Sequence, residues 1–240
     1  MTEVLNYWKA GLGSVPAEVW ETVPGPRTLI LADNALTALP DRIGRLTSLR
    51  TLDLGHNALT RLPASLGDLT GLSGCLYLHD NRLAELPATL GRLARLGYLN
   101  VGENPLGRLP DALGGLAGLY ELRAQHCALT ALPPALGRLT RLRELWLRGN
   151  HLTALPRTFA ELRELRELEL RGNALAELPE VLRGLPLLRR LDLRSNCIGT
   201  LPHWLPECLS LEKLDLRWNA VDEAAPVLRA LRDRGCVVLV

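Results

Sequence analysis

Acidic and histidine side chains recur at one position of the sequence, at intervals of 23 or 24 residues. They are Asp33, His56, Asp80, Glu103 and His126. Carboxylate oxygens and imidazole nitrogens are ligands that zinc takes from proteins, so this column could hold a metal. Every position of a repeated sequence recurs at the same interval, however, and spacing alone does not make side chains converge. We therefore assign no metal and no cofactor, and leave open whether this column binds anything.

The sequence lacks the common motifs of catalysis and nucleotide binding. It contains no P-loop, no G-x-G-x-x-G, no C-x-x-C and no H-E-x-x-H, the spacings that build phosphate, redox and zinc-protease sites. Its few serines lie in predicted caps and loops, with no identifiable histidine and acid to complete a triad. We expect a protein that is not an enzyme.

Asparagine marks a repeat that runs through most of the chain. Eight asparagines share one register, with steps of 23 residues except for one step of 24 and one double step: Asn34, Asn57, Asn81, Asn104, Asn150, Asn173, Asn196 and Asn219. Cys127 stands in the middle of the double step. The leucines around these positions follow L-x-x-L-x-L-x-x-N-x-L, a pattern typical of a solenoid of stacked repeats.

Each repeat predicts one short strand and one helical turn. Residues 51–55 alternate inward leucines with outward residues, which is the period of a strand. Pro63 opens the second half, where proline suits the first helical position because its missing N–H needs no partner there. The prediction is an α/β solenoid, a curved horseshoe with a concave parallel sheet of about ten strands and short helical or 3₁₀ turns on the convex side. The asparagines are expected to bond the turn after each strand as a buried ladder.

We predict three regions along the chain. Residues 1–27 form an N-terminal cap and half-repeat, residues 28–222 form nine repeats, and residues 223–240 form a C-terminal cap with a helix and a closing strand.

The N-terminal cap carries two further expectations. Residues 5–9 are predicted to form a helical turn, and Trp8 and Trp20 are predicted to cover the first repeat.

The composition argues against several classes of protein. The net charge of +2 and the pI of about 8.4 are too mild to indicate nucleic acid or anionic membrane as a partner. The first residues lack the apolar segment of a signal peptide, and no apolar run is long enough to span a membrane. The five cysteines are scattered, so we expect a reduced, cytoplasmic setting. Arginine and alanine are abundant and lysine is rare, which indicates a bacterial source.

These motifs resemble the leucine-rich repeat superfamily over essentially the whole chain. The half-repeat L-P-x-x-[LI]-G-x-L, as in residues 62–69, is most similar to the 23-residue class of plant Ras-group, Ras-binding scaffold, Scribble-type and bacterial proteins. The resemblance implies a protein-binding horseshoe with its partner on the concave sheet, and it transfers neither catalytic residues nor Ras binding. We expect a monomeric interaction scaffold in intracellular signalling or small-GTPase regulation. The alternative is a translocated bacterial effector that acts on host proteins.

The solvent-facing strand positions vary between repeats and supply the candidate binding residues. Tyrosine, tryptophan and arginine together are typical of a binding hot spot, and they meet in repeats three to six. An arginine column with neighbouring acids follows in repeats six to nine; its arginines are Arg148, Arg171, Arg194 and Arg217, and the acids are Glu169, Asp192 and Asp215. It is interpreted either as a ladder that neutralises itself or as a dock for a partner of mixed or acidic charge. The predicted partner-binding residues are Tyr77, His79, Tyr98, Asn100, Arg123, Gln125, Trp146, Arg148, Glu169, Arg171 and Arg194.

Two irregularities interrupt the repeat. Ala124 replaces a core leucine and Cys127 replaces a ladder asparagine. This repeat is interpreted either as a tolerated variant or as a soft point, and a soft point predicts that amides 122–129 exchange faster than those of residues 168–175. One extra residue near 73–75 accounts for the step of 24, either as a harmless bulge or as a change in the direction of Tyr77.

Overall fold

The computed structural model describes residues 3–21 and 25–240 of the chain. Within these residues, eleven strands form one parallel sheet in which each strand pairs with the next along the chain. The strands are β1 (Val4–Asn6), β2 (Thr28–Ile30), β3 (Thr51–Asp53), β4 (Cys75–Tyr77), β5 (Tyr98–Asn100), β6 (Glu121–Arg123), β7 (Glu144–Trp146), β8 (Glu167–Glu169), β9 (Arg190–Asp192), β10 (Lys213–Asp215) and β11 (Val237–Leu239). The predicted curved solenoid with a parallel concave sheet is confirmed.

Short 3₁₀ turns form the convex side, as predicted. In the described part of the chain they are Ala17–Trp20, Asp41–Arg45, Ala64–Asp68, Ala88–Arg92, Asp111–Gly115, Pro134–Arg138, Arg157–Glu161, Glu180–Gly184 and Leu205–Glu207. In the seven turns from Asp41–Arg45 to Glu180–Gly184, the proline of the Leu-Pro pair immediately precedes the turn, one place earlier than predicted. Pro63, for example, precedes its turn with an extended ψ of 146°. Its fixed φ suits that extended residue as well as it suits a helical one. The turn Leu205–Glu207 begins three residues after Pro202.

A single aliphatic core fills the space between the sheet and the turns. Leu52 and Leu54 have no exposed surface, and the same inward positions are buried from repeat to repeat. Each repeat alone would expose this face to water, so stacking on its neighbours supplies most of the burial.

The asparagine ladder is confirmed, and each side chain in it bridges two repeats. The Asn81 Nδ2 donates to the carbonyl oxygens of Leu54 in the preceding repeat (2.9 Å) and of Leu78 in its own repeat (3.1 Å). Its Oδ1 accepts the N–H of Leu59 at 3.0 Å. The central ladder asparagines are buried, whereas those nearest the two ends are half-buried.

The convex turns stack closely because glycine recurs where they meet. A Cβ at Gly91 would lie 2.2 Å from the carbonyl oxygen of Ala112, and four equivalent glycines leave gaps between 2.2 and 2.6 Å. Ala160 replaces this glycine, and beside it a cleft of about 710 Å³ opens against Val181. A Cβ at Gly184, one place further along the next turn, would meet its nearest atom only at 3.5 Å.

The N-terminal segment differs from its prediction. Residues 5–9 do not form a helical turn, because β1 pairs in register with β2 and the Tyr7 N–H donates to the Ile30 carbonyl at 2.8 Å. The sheet therefore has one strand more than expected. Trp8 is 59% exposed and does not cover the first repeat. Trp20 is half-buried and packs against the core, with the Arg42 guanidinium 4.3 Å from the centre of its ring.

The C-terminal segment forms a helix and a strand, the two element types expected there. Helix α1 (Pro226–Asp233) buries Leu228 and Leu231, and β11 pairs with β10. Gly235 separates them with a φ of +90°, a conformation that favours glycine. The division of the chain into two caps and nine repeats stays our interpretation.

Candidate functional site

The parallel register places the variable strand positions of neighbouring repeats side by side on the concave face. Tyr77 pairs with Asn100, Asn100 with Arg123, and Arg123 with Trp146. Residues two places apart on one strand, such as Tyr77 and Cys75, share that face. Side chains far apart in sequence thus form one continuous surface.

Five of the predicted residues form what we term the aromatic cluster: Tyr77, His79, Tyr98, Arg123 and Trp146. The rings of Tyr77 and Tyr98 lie 5.0 Å apart, and those of Tyr77 and His79 lie 6.0 Å apart. The Arg123 guanidinium lies 5.7 Å from the Tyr98 ring and 5.0 Å from the Trp146 ring. Since every neighbouring pair is in contact, the prediction that these aromatics meet on one face holds for their positions.

Two acids fix the orientation of the cationic and indole groups in this cluster. The Arg123 Nε donates to the Glu121 Oε1 at 2.6 Å, and the Trp146 Nε1 donates to the Glu144 Oε2 at 3.3 Å. Arg123 is held between two rings by a cation–π contact on each side. A partner would therefore meet an arginine and a tryptophan that are already ordered, which lowers the entropy lost on binding.

Glycines in the neighbouring repeat let two predicted residues lie flat on the sheet. A Cβ at Gly55 would lie 2.4 Å from the His79 ring, and one at Gly102 would lie 2.5 Å from the Gln125 amide. His79 Nδ1 and Gln125 Oε1 are buried and have no hydrogen-bond partner among the described residues. Burial and the nearby His56 hold the pKa of His79 below its usual range.

The Asn100 side chain is buried and bonds the backbone of its own repeat instead of facing solvent. It is only 6% exposed, and its Oδ1 accepts the N–H of Gly102 at 3.0 Å. Asp53 and Asp192 make the same bond to the residue two places later. These side chains therefore cap the end of a strand, and we leave Asn100 out of the proposed contact surface.

The extra residue before β4 does not move Tyr77 out of its column. Leu76 and Tyr77 keep their register with Leu52 and Asp53. The insertion is absorbed at Gly74, where the N–H donates to the Arg50 carbonyl at 2.8 Å and a Cβ would lie 2.6 Å from Thr51 Oγ1. The structure fits the interpretation of the insertion as a bulge.

Beyond Trp146 the face becomes a groove of about 570 Å³, which we term the charged groove. Its lining residues are Trp146, Arg148, Glu167, Leu168, Glu169, Arg171, Arg190, Leu191, Asp192, Arg194, Lys213 and Asp215. Of the predicted residues it therefore brings together Arg148, Glu169, Arg171 and Arg194, with Trp146 shared with the aromatic cluster.

Part of the arginine column neutralises itself. The Arg194 Nη2 lies 2.5 Å from the Asp192 Oδ2, and the Arg217 Nη2 lies 2.7 Å from the Asp215 Oδ2. The Arg194 Nε is also 3.6 Å from Asp215. These bonds hold the pKa of Asp215 below its usual range despite the burial that acts to raise it. For these two arginines the self-neutralised interpretation holds.

The other two arginines of the column are not neutralised by acids in this way. Arg148 and Arg171 form no ion pair with any residue in the described ranges 3–21 and 25–240. Glu169 lies near both in the groove, and its buried Oε1 accepts no hydrogen bond from the described chain. Burial and the neighbouring Asp192 raise the pKa of Glu169 above its usual range.

The acid and histidine column has a backbone explanation. All five positions have a positive φ, between 51° and 61°, the left-handed conformation that aspartate and histidine tolerate better than most residues. The side chains meet only in pairs, His56 Nδ1 with Asp80 Oδ2 at 2.5 Å and His126 Nε2 with Glu103 Oε1 at 3.9 Å. In the part of the chain that the structure describes, no three such groups converge on a metal position.

Cys127 enters the ladder with a thiol in place of an amide. The Sγ lies 3.3 Å from the Val101 carbonyl oxygen, where an asparagine would donate. The thiol cannot replace the amide acceptor, and the Leu106 N–H instead bonds the Asn104 carbonyl at 2.8 Å. Burial raises the pKa of Cys127 to about 11. Ala124 beside it is fully buried.

Comparison with known families identifies leucine-rich repeats in three segments of the chain. A family model described as leucine rich repeat matches residues 26–73 and 118–175, and a second with the same description matches residues 187–208. Together these matches extend over more than half of the chain. Among curated proteins no sequence relative matches.

Three of the solved structures that share this fold come from a bacterium and a plant. A leucine-rich repeat protein of Leptospira interrogans is 20% identical over 99% of this chain and 95% of its own, with a TM-score of 0.53. The ectodomain of the Arabidopsis thaliana receptor kinase GASSHO1/SCHENGEN3, in complex with CASPARIAN STRIP INTEGRITY FACTOR 2, is 29% identical over 99% of this chain, with a TM-score of 0.78. The Arabidopsis receptor kinase HAESA, with the peptide hormone IDA and the co-receptor SERK1, is 26% identical over 91% of this chain, with a TM-score of 0.75.

The chain spans 29% and 38% of the lengths of these two receptor structures. Among the described residues, no helix has the length and apolar character needed to cross a membrane.

Proposed function

The chain belongs to the leucine-rich repeat proteins, and we propose that it is a non-catalytic scaffold that binds a protein partner on its concave face. Leucine-rich repeat proteins are in general protein-interaction modules, and both plant structures contain a bound ligand. The observation that carries the proposal is the aromatic cluster, in which Arg123 is ordered between Tyr98 and Trp146. Ordered arginine and aromatic side chains are enriched among residues that dominate binding energies.

The contact surface we propose is the aromatic cluster together with the side chains continuous with it. Gln125 extends the cluster on one side, and the charged groove extends it through Arg148, Glu169, Arg171 and Arg194. These side chains project from short, fully paired strands, so the surface is held in one shape before binding.

The direct test is capture of partners from a lysate by wild-type protein and by the double variant Tyr77→Ala, Trp146→Ala, followed by mass spectrometry. Both side chains are half-buried on the sheet surface outside the leucine core. The variant should therefore fold and lose its partners. The matched control is Tyr120→Ala, which removes an exposed tyrosine from outside the cluster. Equal capture by the double variant and the wild type would show that the cluster is not the contact surface.

The cellular setting is proposed from the sequence alone. We propose a monomer in the reduced cytoplasm, in signalling or small-GTPase regulation of the kind associated with the L-P-x-x-L-G-x-L class, with no nucleic-acid or membrane partner. The alternative is a translocated bacterial effector. The receptor ectodomain among the similar structures shows that this fold also serves outside cells. Genes for a secretion chaperone beside the coding sequence would favour the effector.

A further inference from the structure

We infer that the charged groove binds an acidic segment of a protein partner, lying between Trp146 and Trp218 with its carboxylates on Arg148 and Arg171. This inference rests on the proposed function and names the chemistry of the partner. Its basis is which arginines of the groove are already paired and where the exposed aromatic side chains stand.

The pairing of charges singles out two arginines. Arg194 and Arg217 are bound by aspartates of their own strands, and Arg190 lies 3.6 Å from Glu167. Arg148 and Arg171 alone in this arginine column are without an ion pair to the described residues. They lie on adjacent strands, about 5 Å apart along the sheet. Two guanidinium groups at that spacing match the carboxylates of one short acidic stretch and can each bond two oxygens.

Trp218 supplies the second observation. It is 63% exposed and has a φ of +63°, a conformation that is a clear outlier for a bulky residue. Its ring lies 5.5 Å from the Arg171 guanidinium and 5.4 Å from that of Arg217. The left-handed backbone recurs at this position in the other repeats, so the fold explains the conformation but not the choice of a bulky, exposed indole there. The indole lies against an arginine that has no ion pair to the described residues, which points to a contact with a ligand.

The distance between the two tryptophans sets the length of the ligand. Trp146 ends β7 and Trp218 follows β10, so their backbone positions lie three strand spacings, about 14 Å, apart. The Trp218 ring reaches back to 5.5 Å from the Arg171 guanidinium, so this span describes the backbone positions and not the indoles. An extended peptide rises about 3.3 Å per residue, and about four residues would cross the groove. The indoles at the two ends would cover the apolar parts of that segment.

An unpaired acid in the groove favours a peptide over nucleic acid. Asp192 and Asp215 are neutralised by Arg194 and Arg217, whereas Glu169 has no ion pair to the described residues. The free Oε1 of Glu169 suits a backbone N–H, which a peptide carries and a phosphate backbone does not.

The test uses a fluorescein-labelled peptide of about eight residues with four consecutive glutamates, and the same peptide with glutamines. Binding is measured by fluorescence anisotropy at low and high ionic strength. We expect the wild type to bind only the glutamate peptide, more weakly at high salt. Arg148→Gln, Arg171→Gln should weaken binding about tenfold or more. Trp218→Gly should weaken it several-fold, and glycine suits the left-handed backbone there, so the variant should fold.

The matched control is Arg95→Gln, Arg141→Gln, which removes the same charge from two exposed arginines outside the groove, and it should bind like the wild type. No measurable binding of the glutamate peptide, equal binding of both peptides, or equal losses in the two double variants would overturn the inference. Tighter binding of a single-stranded oligonucleotide through the same arginines would also overturn it. None of these outcomes depends on capture by the aromatic cluster, so the proposed function can stand when this inference fails.

Discussion

Substituting alanine for glycine should destabilise the protein where two convex turns stack closely and should not destabilise it where they stand apart. In Gly91→Ala the new Cβ would lie 2.2 Å from the Ala112 carbonyl oxygen, about 1 Å inside ordinary contact. That oxygen belongs to the backbone of the next repeat and cannot rotate away. Over-packing of this kind costs about 1–3 kcal/mol of unfolding free energy.

The matched variant is Gly184→Ala, in the turn that stands off beside Ala160. Its Cβ would meet its nearest atom at 3.5 Å, an ordinary van der Waals contact, and Gly184 has no positive φ. Replacing glycine there reduces the entropy of the unfolded chain, which stabilises by about 0.4–1 kcal/mol. The two variants should therefore differ by about 1.4–4 kcal/mol.

Urea unfolding followed by circular dichroism measures this difference. With an m value of about 3 kcal/mol per molar, the two midpoints should lie about 0.5–1.3 M apart, with Gly91→Ala below the wild type. Equal midpoints, or a loss in Gly184→Ala as large as that in Gly91→Ala, would refute the argument that contact between turns, rather than glycine itself, decides the outcome.

Three further results are expected. Asn173→Ala should lower the unfolding free energy by about 1–3 kcal/mol in urea titrations, because it leaves the buried Leu152 N–H without a partner and removes one of the two amide donors from the Leu147 and Leu170 carbonyls; a loss below about 1 kcal/mol would contradict the ladder's role. Trp218→Gly should leave the thermal midpoint unchanged or slightly raised, because relief of the left-handed strain, about 1–2 kcal/mol, exceeds the entropy that glycine loses; clear destabilisation would argue against strain. Iodoacetamide at pH 8 should modify exposed Cys197 long before buried Cys127; equal modification rates by mass spectrometry would contradict the burial of Cys127. Because burial raises the pKa of Cys127 to about 11, its thiol stays protonated in the folded protein, and the folded state loses stability as the pH rises towards that value.

The sequence predicts the repeated part of the fold well because one marker, the ladder asparagine, fixes the register. It misses the first strand because that marker is absent there. Ala10 stands where the ladder asparagine would be, after Lys9 in the left-handed conformation. Asn34 still bonds back to the Leu12 N–H and the Tyr7 carbonyl. The spacing from Leu5 to Leu29, one repeat with one extra residue, was the signal that could have revealed this strand.

The sequence predicts which residues of the candidate site share a face of the sheet, but it does not predict which bonds their side chains make. Periodicity places Tyr77, Tyr98 and Trp146 on one face because alternation is a backbone property. It does not show that Asn100 folds back onto Gly102, because that choice depends on a local bond to the backbone two residues on. Nor does it show that Arg171 lacks an acid while Arg194 has one, since pairing is decided by rotamers within a strand.

The residues that precede the ladder asparagines form a column with a left-handed backbone conformation, and the ladder explains why. A ladder asparagine bonds backward to the carbonyl of the residue two places earlier, as Asn104 does to Gly102, and the residue between them takes a positive φ. Aspartate, histidine or glycine at that position therefore satisfies the backbone and implies no metal. By the same reasoning Trp218 is the only tryptophan, tyrosine or phenylalanine of this column in the described chain. Backbone geometry explains the other members without any ligand, so the cost of placing an indole there is the strongest reason to look for a partner at that end of the groove.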